Sequence, residues 1–362
     1  MTTTYQSGRR IQTTSAEFGT NGSGASAVSG GWKELGRTTL GSTADIITVS
    51  SLADKRYLMC LFDSQNSGGV ANLTRLGAGS VDSGSNYAYR PSSNGGADST
   101  STSVSYMNLL FQDGSYDAFG VQYIANLASK EKLLIEHGVR QQAAGTSTAP
   151  GRNEAVGKWV NTSSALDTVS HYNIDTGSYN TGTEVVVLGW DDSDTHTSNF
   201  WEELATNSTV SSDKIDVSFT AKKYLWVQGY YKQGAGTSGS VRLRVGNTTV
   251  DTGSNYTERY EQDGGADATL TSQSELYKTI TTGSGAVGLL GYINMFIINN
   301  AANEKLIISN VIENNSAGAG TAPRRLQTVA KWANTSNQID IISLYRNSET
   351  LDSGNLTVWG SN

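Results

Sequence analysis

The stretch Asp82-Ser83-Gly84-Ser85-Asn86-Tyr87 decides the fold because the chain contains it twice. It returns as Asp251-Thr252-Gly253-Ser254-Asn255-Tyr256, 169 positions later. Further along, Lys158-Trp159-Val160-Asn161-Thr162-Ser163 returns as Lys331-Trp332-Ala333-Asn334-Thr335-Ser336, 173 positions later. An offset that drifts so little predicts two copies of one fold, with a small insertion in the second copy.

The chain of 362 residues therefore divides into four segments. Residues 1–31 form a polar N-terminal arm rich in Thr, Ser and Gly, which we expect to be mobile unless a neighbouring subunit holds it. Repeat 1 spans 32–190 and repeat 2 spans 201–362, and each opens at a tryptophan. The acidic linker 191–200 joins them. Each repeat is long enough to bury a core of its own.

Short runs rich in Thr, Val, Ile and Tyr, separated by Gly, Ser, Asn and Asp, are typical of an all-β protein. In Val241-Arg242-Leu243-Arg244-Val245 apolar and basic residues alternate, which predicts a strand with one buried and one wet face. We count about eight such strands in each repeat and find no sustained helical period. The prediction is two tandem antiparallel β-sandwich domains of jelly-roll-like type, related by internal duplication.

Composition excludes several function classes. The net charge is −7, from 33 acidic and 26 basic residues, and no basic stripe indicates a nucleic-acid partner. No apolar run approaches the roughly 18 residues that a membrane helix needs. Cys60 is the only cysteine, so no intramolecular disulfide can form, and its apolar surroundings predict a core side chain. No signal peptide is visible, which favours synthesis in a reducing cytoplasm.

No pattern for catalysis or metal binding emerges. His137, His171 and His196 do not recur in the other repeat, and no spacing supports a zinc site or a catalytic triad. The run Asp191-Asp192-Ser193-Asp194 lacks the glycine and the distal glutamate of a calcium-binding EF-hand loop, so it is better read as a solvated linker. We expect no enzyme activity, no metal and no cofactor.

Aromatic residues beside arginine follow the repeated turn in both repeats, and arginines follow Pro150 and Pro323. Both arrangements are typical of ordinary strands and rigid loop exits, but also of protein interfaces and, less often, of glycan sites. With the arginine pair of the N-terminal arm, the candidate interface residues are Arg9, Arg10, Tyr87, Tyr89, Arg90, Arg152, Tyr256, Arg259, Tyr260, Arg324 and Arg325.

On five segments the chain resembles a group of structural proteins from marine tailed phages and related environmental viruses, which serve as head-decoration or tail-associated components. These segments are Leu35–Leu40, the Ser-Asn-Tyr turn, Asn94–Asp98, Trp159–Ser163 and Glu184–Gly189. The resemblance covers both repeats, and thus most of the chain after residue 31. Repeat 2 departs from the pattern at Leu204–Val210 and in a shorter closing segment, which is consistent with a changed partner. The resemblance implies a virion component with β-sandwich repeats.

The expected function is that of a non-enzymatic virion structural protein, most directly a capsid decoration or cement protein assembled in the host cytoplasm. Its partners would be the major capsid protein or other virion subunits, with homo-oligomerisation and neither nucleic acid nor membrane. The alternative is a tail, fibre or surface adhesin that recognises a host receptor or glycan. A polysaccharide-degrading enzyme would need two carboxylates about 5–10 Å apart in a cleft, and no spacing indicates them.

Overall fold

The computed structural model describes residues 3–6, 9–12, 28–29, 31–110, 116–191, 195–196, 199–211, 213–234, 240–277, 289–316 and 318–362. Strands are numbered β1 to β30 in chain order. Every strand pairing within the sheets is antiparallel.

Repeat 1 forms an eight-stranded sheet and a four-stranded sheet. The large sheet has the spatial order β10 (Ser101–Val104), β9 (Tyr87–Ser93), β14 (Gly151–Trp159), β13 (Lys132–Arg140), β12 (Ala118–Ala125), β6 (Tyr57–Ser64), β17 (Glu184–Trp190) and β4 (Lys33–Thr39). The small sheet has the order β11 (Met107–Asn108), β8 (Leu73–Gly77), β15 (Thr168–Tyr172) and β5 (Ile46–Val49).

Repeat 2 also builds an eight-stranded and a four-stranded sheet. Its large sheet has the order β25 (Ala268–Gln273), β24 (Tyr256–Gln262), β28 (Arg324–Trp332), β27 (Lys305–Glu313), β26 (Leu290–Ile298), β21 (Tyr224–Gln233), β30 (Leu351–Ser361) and β19 (Glu202–Asn207). Its small sheet has the order β23 (Thr249–Val250), β22 (Val241–Asn247), β29 (Ile341–Arg346) and β20 (Lys214–Ser218). Strand for strand, the large sheets correspond.

Three short strand pairs lie outside these sheets. They are β1 (Thr3–Gln6) with β2 (Arg9–Gln12), β3 (Val28–Ser29) with β18 (Thr195–His196), and β7 (Asn66–Ser67) with β16 (Ser178–Tyr179). The predictions for the rest of the N-terminal arm and for Asp192–Asp194 lie outside the described residues. The backbone of Arg9 and Arg10 pairs within β1–β2, but their side chains are also outside that range.

Each sandwich buries a core between its two sheets. In repeat 1 the core is built around Phe62, Tyr87 and Trp159, and in repeat 2 around Tyr256 and Trp332. A third apolar cluster joins the outer sides of the two large sheets, so the molecule has four layers, with the large sheets in the middle. The predicted all-β fold of two tandem sandwiches is confirmed.

The expected count of about eight strands per repeat is too low, because each repeat has twelve strands in its two sheets. The additional strands are short and rich in Ser and Thr, like β10, or contain only two residues, like β11. Such segments show no apolar alternation, and that alternation is the signal by which a strand is recognised in a sequence.

Candidate interaction surfaces

The repeated turn belongs to the scaffold of each sandwich. The Tyr87 hydroxyl lies 2.9 Å from the Leu76 carbonyl oxygen and 2.8 Å from that of Asp82, and it accepts the Leu76 N–H. Tyr256 makes the same set of contacts in repeat 2. The tyrosine therefore ties the turn to the adjacent small sheet, and a buried hydroxyl without these partners would be costly.

The aspartate of the same turn connects it to the repeated tryptophan. Asp82 accepts the Trp159 indole N–H at 2.7 Å and the Gly84 backbone N–H at 2.8 Å. Asp251 accepts the Trp332 indole N–H at 2.7 Å as well. Burial alone would raise the pKa of Asp82, but these hydrogen bonds favour the carboxylate and leave its pKa below the ordinary value. The two longest repeated stretches are thus two halves of one internal contact.

This network corrects part of the interface prediction. Tyr87 and Tyr256 are buried in the two cores, and their hydroxyls are held by backbone atoms, so neither is available to a partner. Tyr89 and Tyr260 are partly buried against the same cores. The aromatic residues after the turn therefore pack inwards, as strand residues of a sandwich do.

The outer sides of the two large sheets form the interface between the repeats. The outer side of each large sheet has two regions, one at either end of its strands. We call them face A and face B and define each by residues that lie side by side on neighbouring strands. Face A contains Tyr57, Leu133, Ile135 and Val156 in repeat 1, and Tyr224, Leu306, Ile308 and Val329 in repeat 2. Face B contains Asp63, Phe119, Val139 and Arg152 in repeat 1, and Tyr230, Tyr292, Ile312 and Arg325 in repeat 2.

Face B of repeat 1 packs on face A of repeat 2. Phe119 and Val139 belong to the same buried cluster as Leu306 and Ile308, and the rings of Phe119 and Tyr224 have their centroids 6.3 Å apart. Phe200, at the end of the linker, adds a ring 6.1 Å from Tyr224. The two repeats therefore share a continuous apolar contact.

Arg152, predicted as an exposed contact residue, instead joins the repeats internally. Its guanidinium makes two hydrogen bonds to Asp267 of repeat 2, at 2.6 and 3.2 Å, and pairs with Glu154 at 2.6 Å. Burial opposes the charge of Arg152, but the hydrogen bonds and fields of these carboxylates outweigh it and raise its pKa. Arg259 crosses the same boundary and donates to the Pro150 carbonyl at 2.8 Å.

A second polar contact lies at the other side of the interface. Lys223 of repeat 2 pairs with Asp63 at 3.0 Å and with Glu184 at 3.1 Å, and the Tyr224 hydroxyl donates to Glu184 at 2.8 Å. Burial would raise the pKa of Glu184, but the Thr39 hydroxyl, Lys223 and Tyr224 together hold it below the ordinary value. Asp63 and Glu184 are thus both buried and both paired.

The remaining candidates have different surroundings. Arg90 is exposed and pairs with Asp98 at 3.6 Å, and Arg325 is exposed and pairs with Glu261 at 3.0 Å. Arg324 is half-buried at the start of β28. Of the arginines predicted for contacts, Arg90 and Arg325 are thus the exposed ones whose side chains are described.

The exposed apolar residues of the two large sheets were not predicted from the sequence. On face A of repeat 1, Leu133 is 56% and Ile135 51% exposed, and on face B of repeat 2, Tyr292 is 45% and Ile312 48% exposed. A signal existed in the apolar run Leu133-Leu134-Ile135, because a strand that is apolar on both sides has two faces to cover. Only one of these faces lies against the core of repeat 1.

Repeat 1 also contains a buried polar cluster that repeat 2 lacks. The Gln122 amide donates to Glu136 at 2.8 Å, and the other Glu136 oxygen is buried with no hydrogen-bond partner among the described residues. The His171 ring lies 3.2 Å from the Thr74 hydroxyl and 3.8 Å from the Cys60 sulfur. Burial raises the pKa of Glu136 to about 8 and lowers that of His171 to about 3. Each of these side chains is at most 2% exposed, so the cluster offers no access to a substrate.

The described residues show no metal-binding cluster, and the crevice between the repeats is small. No group of three or more His, Cys, Asp or Glu side chains among the described residues is arranged to hold a metal ion. The crevice, lined by His137, Glu154 and Asn310 among others, leaves about 10 Å³ of free volume, enough for about one water molecule. In the same part of the chain, no helix is long and apolar enough to cross a membrane.

Comparisons with known proteins give fold-level likenesses at most. No family model and no curated protein matches the chain. Among solved structures, the LG1-3 region of the laminin alpha2 chain aligns at 8% identity and a TM-score of 0.22, covering 87% of this chain and 64% of the laminin chain. Domains LG4-5 of the mouse laminin alpha1 chain align at 11% identity and a TM-score of 0.18, covering 89% and 85%. At these scores neither likeness supports an argument about function.

Proposed function

We propose that the protein is a non-enzymatic structural component of a virion, acting on the capsid surface as a decoration or cement protein. Its partners would be the major capsid protein or other virion subunits. The observation that carries the proposal is the pair of uncovered faces, face A of repeat 1 and face B of repeat 2, on a body that is otherwise well packed. The assignment to a virion rests on the sequence resemblance.

The uncovered faces have the composition of protein-binding surfaces. Leu133, Ile135 and Val156 are about half exposed and lie on neighbouring strands, with Ile135 directly opposite Val156. Contiguous exposed apolar residues on sheets are uncommon in proteins that act alone. Tyrosine and arginine, which face B of repeat 2 supplies, are the residues that protein interfaces favour.

A second function, glycan recognition by a tail or surface adhesin, is favoured by one feature of face B in repeat 2. Tyr230 and Tyr292 are exposed cross-strand neighbours, and the Gln228 amide donates to the Tyr292 hydroxyl at 2.9 Å. Asn294 lies beside them as a further polar group. Exposed aromatic rings bordered by amides are suited to stacking on a sugar and bonding its hydroxyls.

Cryo-electron microscopy of particles of the virus that encodes the chain would test the virion assignment. The double sandwich should appear as repeated density on capsid capsomers, with face A of repeat 1 or face B of repeat 2 against a neighbouring subunit. Density only at the tail tip, together with binding of the purified protein to host polysaccharide that is lost in Tyr292→Ala, would favour the adhesin. Purified particles that lack the chain altogether would refute both.

A further inference from the structure

The same kind of surface is covered in one repeat and open in the other. In face A of repeat 2, Leu306 and Ile308 are 2% and 4% exposed, because repeat 1 covers them. Their counterparts Leu133 and Ile135 in repeat 1 occupy the same positions in the sheet. Nothing within the described chain covers these two, and they are more than half exposed.

Face A of repeat 1, which is open, also has the charged residues of face A of repeat 2, which is covered. In repeat 2, Glu304 pairs with Lys331 at 3.1 Å, and both bind repeat 1, Glu304 through the Gly145 N–H and Lys331 through the carbonyl of Ala143. In repeat 1 the counterparts Glu131 and Lys158 pair at the same distance of 3.1 Å, but their side chains are partly exposed, Lys158 to 44% and Glu131 to 41%. The ion pair of repeat 2 binds repeat 1 inside the molecule, whereas the corresponding ion pair of repeat 1 is accessible to solvent.

Face B shows the converse arrangement. It is covered in repeat 1, where Phe119 is 1% and Val139 0% exposed, and open in repeat 2, where Tyr292 and Ile312 take their places. The loop beside it is also retained, since Gly145, which binds Glu304, corresponds to Gly318, and both adopt positive φ of 73° and 79°.

The partners of the cross-repeat ion pair recur on the open faces too. Arg152, which pairs with Asp267 across the interface, corresponds to Arg325 on open face B. Asp267 corresponds to Asp98, beside open face A. The side chains of Arg325 and Asp98 are 57% and 54% exposed. Opposite charges therefore lie at corresponding positions of the two open faces, where each has a partner within its own repeat, Glu261 for Arg325 and Arg90 for Asp98.

The contact between the repeats is heterologous, because it joins face B of one sandwich to face A of the other. A heterologous contact does not satisfy itself and leaves one unused half at each end. We propose that a second copy of this chain fills them, placing face A of its repeat 1 on face B of repeat 2 of the first copy, so that molecules add head to tail. This inference rests on the proposed structural role and names the chain itself as a partner at those faces.

The intermolecular contact would be weaker than the internal one. A row of three cross-strand neighbours borders face B in each repeat. In repeat 1 these residues are Leu61, Val121 and His137, and in repeat 2 the corresponding residues are the polar Gln228, Asn294 and Asn310. Asp63, which holds Lys223 inside the molecule, is replaced by Tyr230, and Phe200 by Gly31. Fewer apolar and ionic contacts predict an association that depends on concentration and reverses on dilution.

Sedimentation velocity of the full chain over a wide concentration range tests the proposal. The wild-type protein should form dimers and then longer species as its concentration rises. Ile135→Asp on face A and Tyr292→Asp on face B should each weaken association by about tenfold or more, because the new carboxylate would be buried without a partner. Ile46→Asp is the matched control, since Ile46 is exposed but lies on the small sheet of repeat 1.

Mixing the two face variants tests the head-to-tail geometry. Ile135→Asp retains an intact face B and Tyr292→Asp an intact face A, so the equimolar mixture should form one-to-one dimers and nothing larger. Wild-type protein that stays monomeric at all concentrations would overturn the proposal. So would a mixture that remains monomeric although the wild type assembles.

Charge reversal gives a readout that does not depend on a buried substitution. Asp98→Arg and Arg325→Asp, both at exposed sites, should each reduce assembly, and the double variant should restore it. Failure of the double variant to restore it would refute the predicted pairing of the two faces. Because purified protein is used, loss of assembly can be told apart from absence of the chain in virus particles. A wild-type monomer whose face B binds a glycan would assign that face to the adhesin function.

Discussion

Glu136 gives the sharpest test of how this structure is stabilised. It lies on β13 with its side chain in the core of repeat 1, where Gln122 offers one hydrogen bond and no cation or second donor among the described residues reaches its other oxygen. Thr74, Cys60 and His171 complete the polar groups around it, and none of them is charged near neutral pH, since burial lowers the pKa of His171 to about 3. Burial accordingly raises the pKa of Glu136 from 4.5 to about 8.

The sign of the effect follows from which state holds the proton. Between pH 4.5 and 8 the folded protein keeps Glu136 protonated, whereas the unfolded chain releases the proton. Folding is therefore unaffected by this group below pH 4.5 and becomes progressively less favourable as the pH rises, until the folded carboxyl also ionises near pH 8. The pKa of Glu136 differs by about 3.5 between the folded and unfolded states, and each pKa unit corresponds to about 1.36 kcal/mol. The free energy of unfolding should therefore fall by roughly 5 kcal/mol, mostly between pH 5 and 8.

Glu136→Gln removes the titrating proton and keeps an oxygen that accepts from Gln122. We expect the variant to match the wild type near pH 4.5 and to exceed it by about 3 kcal/mol or more in the free energy of unfolding at pH 8. Urea unfolding of both proteins at a series of pH values measures this difference. Other titrating groups, including His171, contribute equally to both proteins and cancel.

Glu203→Gln serves as the control because it makes the same substitution at an exposed position on β19, outside the core of repeat 1. A difference between Glu136→Gln and the wild type that stays constant from pH 5 to 8 would refute the reasoning. It would mean that the buried carboxyl is either ionised with a partner or reached by water in the folded state.

Two further perturbations probe the duplicated scaffold and the contact between the repeats. Asp82→Ala and Asp251→Ala each leave a buried tryptophan N–H without its acceptor. Each should therefore reduce the free energy of unfolding, measured by urea titration, by about 1–3 kcal/mol. A loss in only one repeat would show that the two turns are not equivalent. Asp267→Asn removes the buried carboxylate that pairs with Arg152 and should lower the free energy of unfolding by about 3 kcal/mol. The corresponding exposed change, Asp98→Asn, should lower it by less than about 1 kcal/mol. Equal costs for these two changes would contradict the burial of the Arg152–Asp267 pair.

The repeated residues predict the sandwich scaffold well because each acts within its own repeat. Hydrogen bonds within one repeat join the turn at Asp82 to Tyr87 and to Trp159, and both copies retain them. Strand alternation, as in Val241–Val245, shows directly which residues face the core. These contacts and patterns stay within one repeat, and they give the fold class without knowledge of how the two copies pack.

The roles of Arg152 and Arg259 could not be predicted in the same way. Both follow turns in arrangements shared with Arg325 and Arg90, yet one pair is enclosed between the repeats and the other is exposed. The difference comes from how the large sheets pack on each other, which no periodicity within one repeat reports. The apolar run at Leu133–Ile135 indicates that a second face exists, but not what covers it.

The duplication is symmetric in sequence and asymmetric in packing, and that asymmetry carries the functional argument. Had the two sandwiches met through the same face, each would have covered its counterpart and the molecule would have ended there. They meet through different faces, so each exposed apolar row is the counterpart of one that is already buried against a known surface. The polar row at Gln228 and Asn294 limits the apolar area of the open end, while the tyrosines beside it remain exposed and available for contact. The proposed structural subunit, which would exist alone before it assembles, needs both properties.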